Sequence, residues 1–149
     1  MITGGMVSQF YLSVLVVHVL VAVLGVGSVA SVAIMARTAR SAQRDSTAAL
    51  AGLSPVLRYS RISLGLMLPT GILLGAIAGA TIHGAWWFRG SALLLVATIV
   101  LQTRAVRAVR DGLAASASAD GVLLRVERIA YAMCTLVAAI AILMELKPF

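Results

Sequence analysis

Arg37-Thr38-Ala39-Arg40 closes one long apolar run, and Leu57-Arg58-Tyr59-Ser60-Arg61-Ile62 opens the next. The same signals recur 67 residues later, where Arg104-Ala105-Val106-Arg107 closes a third run and Leu124-Arg125-Val126-Glu127-Arg128-Ile129 opens a fourth. A helix of about 20 apolar residues crosses a hydrocarbon core of about 30 Å, and a cation inside that core is costly. Apolar runs that end in arginine rows therefore read as spans meeting a headgroup boundary. The fold class that follows is all-α integral membrane, a four-transmembrane-helix bundle built as two tandem helical hairpins in parallel orientation. The shared offset and the L-R-x-x-R-I match point to an internal repeat.

Composition agrees. Of 149 residues, 61% are hydrophobic, and the mean hydropathy is +1.04. A soluble domain is under half apolar. The isoelectric point near 11.1 comes from two short basic loops, not from a groove lined with stacking aromatics, so nucleic acid is not an expected partner. One cysteine, Cys134, excludes an intrachain disulfide and a Cys-rich metal cluster, and its apolar flanks suit a small core residue. Residues 1–9 carry no Lys or Arg, so the first span reads as an uncleaved helix rather than a signal peptide.

The whole chain, 1–149, reads as one membrane domain. The first hairpin covers about 8–82 and the second about 86–146, with basic loops at about 37–61 and 104–128. The individual spans are expected at about 8–36, 56–82, 89–107 and 122–146. Pro69 should kink the second. Gly71, Gly75 and Gly79 recur every four residues there, a face that lets a neighbouring backbone approach. Trp86 and Trp87 suit an interfacial anchor. Ten arginines lie in or beside the two basic loops, against Arg89 and Lys147 on the other side. That bias places both loops in the cytoplasm and both termini outside, in a multi-pass protein of a bacterial plasma (inner) membrane.

Ionisable groups inside spans are where function is sought. At about 1.5 Å per residue, His18 lies roughly 28 Å from Arg37, His83 roughly 33 Å from Arg61, and Glu145 roughly 26 Å from Arg128. With Arg37, Arg61 and Arg128 taken as one boundary, all three fall near the outer face, and Met144 and Arg89 share that level. Two imidazoles and a carboxylate suit a transition metal, imidazole with thioether suits copper, and one imidazole can be an axial haem ligand. His18 and His83 are thus the candidate cofactor ligands, with Glu145 added for a metal. The competing reading has His18 hydrogen-bonded to a neighbouring helix, His83 facing water and Glu145 paired with Lys147. No catalytic constellation is present: there is no phosphate loop, no nucleophile–base order and no paired intramembrane carboxylate.

The stretch Val16-Val17-His18-Val19-Leu20-Val21-Ala22-Val23-Leu24-Gly25-Val26-Gly27 resembles the opening of a group of small bacterial membrane proteins. The group comprises an integral-membrane family of unknown function, the copper-resistance protein D family and the four-helix haem-containing protoporphyrinogen oxidase. Pro69-Thr70-Gly71 and the Trp opening the third helix are most similar to the first of these. The resemblance covers roughly the first three helices and implies a role for His18 in haem binding. The chain departs from the oxidase in having no lysine within a span, and from the copper-resistance group in having four spans.

Three functions follow as expectations. The first is a small polytopic inner-membrane protein holding haem b or a transition metal such as copper near its outer face through His18. The second is a non-catalytic accessory or assembly subunit of a larger membrane complex, or a homo-oligomer. The third is a small oligomeric transporter, which lacks the polar lining a pore requires. Membrane lipids are partners in each case.

Overall fold

The computed structural model describes residues 3–42, 46–78, 85–114 and 119–146. They form four helices: α1, Thr3–Ser41; α2, Ser46–Ala78; α3, Trp86–Ala114; and α4, Ala119–Leu146. Each is long and apolar enough to cross a membrane. The chain is a multi-pass helical membrane protein.

The helices overrun the spans expected from hydropathy, mainly at the basic end. The expected loop at 37–61 is almost wholly helical. Ala48, Ala49, Leu50 and Ala51 are strong helix formers, and α2 runs on through Pro55 and Pro69. Arg110 and Asp111 likewise belong to the last turns of α3. Once a helix leaves the bilayer, good helix formers carry it on, because hydropathy marks the hydrocarbon boundary and not the end of the hydrogen-bond ladder.

Among the described residues the helices stand in the ring order α1, α2, α3, α4, with α4 closing onto α1. Across the ring, α2 touches α4, whereas α1 and α3 do not meet. The core gathers toward the basic half, where Val32, Ala36, Leu50, Leu57, Leu64, Leu123, Val126 and Met133 are sealed from the surface. Leu93 is 71% exposed, Val23 65% and Leu24 63%. Apolar side chains so open on a soluble domain would make an aggregating patch, whereas hydrocarbon solvates them.

Polar groups run the other way: Ser60, Ser91, Thr98 and Gln102 are buried. Gln102 Nε2 donates to the Leu57 carbonyl of α2 at 2.9 Å, while its Oε1 has no partner among the described residues. An interhelical bond of this kind contributes about 0.6 kcal/mol in a membrane, and an orphaned buried acceptor costs about 1–3 kcal/mol. Gln102→Leu, which removes both, should therefore unfold no earlier than the parent in a denaturant titration, despite deleting a hydrogen bond. A clear loss of stability would mean that Oε1 has a partner such as buried water.

At the basic end, Arg40 pairs with Glu127, and Arg37 Nη1 donates to the Tyr131 hydroxyl at 3.3 Å. These contacts tie α1 to α4. Close approach elsewhere uses glycine. A Cβ on Gly25 would meet the Leu64 side chain at 3.5 Å, and one on Gly71 would meet His18 Cε1 at 3.4 Å.

Candidate functional site

His18 on α1 faces the Thr70-Gly71 step of α2. Its Nδ1 lies 2.7 Å from Thr70 Oγ1. The same hydroxyl is 2.7 Å from the Leu66 carbonyl and 3.1 Å from the Met67 carbonyl. A hydroxyl has one proton, and a carbonyl has none to give. The Thr70 proton therefore serves the helix carbonyls, and His18 Nδ1–H donates to the Thr70 oxygen. In the neutral ring this assignment leaves Nε2 with its lone pair free, and among the described residues Nε2 has no hydrogen-bond partner. A neutral imidazole whose far nitrogen is held by a neighbour is the form in which histidine ligates a metal.

The ring sits at a cavity of about 60 Å³ where all four helices contribute. Its lining includes His18, Met67, Gly71, Phe88, Ser91 and Met144. The wall is overwhelmingly apolar. Ser91 is 4% exposed, and among the described residues its hydroxyl has no partner. Gly71 supplies bare backbone beside the imidazole, where a Cβ would already be in contact with the ring. The residues around this small apolar space thus include one histidine and two methionines, side-chain types suited to soft, low-charge metal ions.

The expected site residues fare differently. His18 lies at the cavity, as does Met144, which counting had set at the same depth. Glu145 is exposed and is not part of the lining. His83 lies outside the described residues. Among the described residues, no three His, Cys, Asp or Glu side chains converge on a point.

The depth scale also needs a correction. Thr70 is nine residues beyond Arg61 yet bonds His18, which is nineteen residues before Arg37. Arg61 is therefore not level with Arg37. The short connection between α1 and α2 puts His18 beside Thr70, so Arg37 stands near Gly52, and the α2 arginines lie further into the bundle.

Met67 was missed by the sequence reading. Met67, Thr70 and Gly71 are spaced i, i+3 and i+4 and so share one helix face. That spacing was a usable signal, but nothing in it says which helix the face would meet.

The fold and site define a four-span helical membrane protein with an imidazole–thioether cavity opposite its basic end. No protein-family model, curated protein or solved structure matches the chain.

Proposed function

We propose that this chain is a small copper-holding protein of a bacterial plasma membrane, with His18, Met67 and Met144 as ligands. The observation that carries this reading is the Thr70-anchored His18 ring, which lines one cavity with two methionines. Thioethers favour Cu(I), and hydrocarbon-like walls disfavour more highly charged ions. A space of about 60 Å³ suits an ion with its ligands. A porphyrin would have to part the helices, so copper is preferred to haem b. The orphaned Ser91 hydroxyl supplies one polar group for a water or anion beside the ion.

The charge distribution supports an orientation with the basic turns in the cytoplasm and both termini outside. The pairing of helices supports two hairpins related by an axis along the membrane normal. In that arrangement α1–α2 corresponds to α3–α4, and α1–α4 to α2–α3.

Protein purified in mild detergent and titrated with Cu(I) should retain one copper per chain. Metal-free protein after loading would overturn the reading. A Soret band in the protein as isolated would replace copper with haem b.

Thr70 provides a sharper check. Thr70→Val removes the acceptor that orients His18 and should weaken Cu(I) about 10–100-fold in a chelator competition. Thr70→Ser should stay near the parent value, because the hydroxyl returns.

A second reading, an assembly subunit or homo-oligomer, rests on Gly27 and Gly65. No atom outside their own helices stands within 4 Å of where their side chains would begin. Small residues left open within spans are notches for another helix. Co-migrating chains in gentle detergent would favour this reading, and a lone monomer would remove it.

A further inference from the structure

We propose that the groove between α2 and α3 at the basic end is a binding site for a phosphate group, carried by an anionic phospholipid or free in solution. Arg58 and Arg61 of α2 and Arg110 of α3 line this groove, with Ser54 beside them. Leu57, Val106, Val109 and Leu113 form its walls, and its volume is about 720 Å³. No carboxylate lines it, and none of the three guanidiniums has an acidic partner among the described residues.

The opposite seam shows why this charge is unusual. Between α1 and α4, Glu127 neutralises Arg40, and the Tyr131 hydroxyl accepts from Arg37. At the 67-residue offset, Glu127 and Tyr131 correspond to Ser60 and Leu64. The α2–α3 seam therefore lacks both acceptors, and among the described residues the buried Ser60 hydroxyl has no partner.

Depth adds to the cost. The Gln102–Leu57 hydrogen bond makes those residues level. Arg61, four residues beyond Leu57, then stands roughly 9 Å further into the bundle than Arg104, while Arg110 stands roughly 9 Å on the other side. Guanidiniums drawn inside a boundary need a counter-charge to come to them. Arginine binds phosphate through paired N–H donors, and basic pockets between spans on the cytoplasmic side bind anionic headgroups. Apolar walls along the groove would take the upper part of an acyl chain. This inference is independent of the copper reading.

The full-length protein, held in a neutral detergent with phosphatidylcholine, can be titrated with phosphatidylglycerol and separately with inorganic phosphate. Bound lipid is counted by native mass spectrometry, and thermal melting follows both ligands. One phosphatidylglycerol should bind in preference to phosphatidylcholine. Affinity should fall about fivefold for each of Arg58→Gln, Arg61→Gln and Arg110→Gln. The pair Arg125→Gln and Arg128→Gln, in a smaller groove on α4, should leave it unchanged. Lysine at the three groove positions keeps the charge but loses the bidentate fork, and should weaken binding by less than glutamine does. Protection by phosphatidylglycerol alone assigns the phosphate to lipid. Protection by inorganic phosphate with the same variant pattern assigns it to a soluble source. Binding of neither, or equal weakening by the α4 pair, overturns the proposal.

Discussion

His18→Ala should leave a folded bundle that no longer retains copper. The side chain supplies the one nitrogen donor of the proposed set, and the two thioethers that remain bind weakly by themselves. Loss of a residue that only orients a ligand already costs about 10–100-fold in affinity, so loss of the ligand should exceed that. His18 is only half-buried and sits at a cavity margin, so truncation removes little core packing. His18→Gln separates ligation from positioning: its amide can still reach Thr70 but offers no imidazole nitrogen. Both variants should melt within a few degrees of the parent without metal, and neither should gain the copper-dependent rise in melting temperature that ligand binding gives the parent. Retention of stoichiometric copper by either variant would place the metal elsewhere.

Leu64→Ala should be the most disruptive single truncation in the hydrophobic interior. Leu64 is fully buried, and its Cδ2 lies 3.5 Å from where a Cβ on Gly25 would stand. Leu64 thus packs directly against α1 at Gly25, where there is no side chain to fill the space that truncation would leave. Losses for buried leucine are about 2–5 kcal/mol, readable as an earlier transition in a denaturant titration in mixed micelles. Leu66→Ala is the matched control. Leu66 is two residues away and 47% exposed. It exchanges contact with lipid for contact with lipid, so its transition should barely move. Equal losses at the two positions would mean that the packing of α1 on α2 is not as described.

Much of the architecture was legible because its physical cause is local. Spans of hydrocarbon length and the arginines that end them announce four membrane helices from composition and order alone. Met144 could be set at the depth of His18 by counting, since rise per residue is a property of any helix. The helix ends were less legible. Hydropathy falls at Arg37 and at Arg107, but backbone hydrogen bonding continues through residues that are merely polar. The site itself was only half visible. His18 stood out as a titratable group in a span, and the spacing of Met67, Thr70 and Gly71 held a signal that went unread.

Residue order alone set the number of spans, their approximate limits and the concentration of charge at one set of turns. Those properties follow from transfer free energy summed over consecutive residues. It took the packing of the helices to show that Thr70 orients His18, that Met67 and Met144 line the same cavity, and that, among the described residues, Arg40 has a carboxylate partner while Arg58, Arg61 and Arg110 have none. Each of these depends on how one helix is offset and rotated against another. That relation arises from side chains far apart in the chain, such as Leu64 seated on Gly25, and periodicity within a single helix does not encode it.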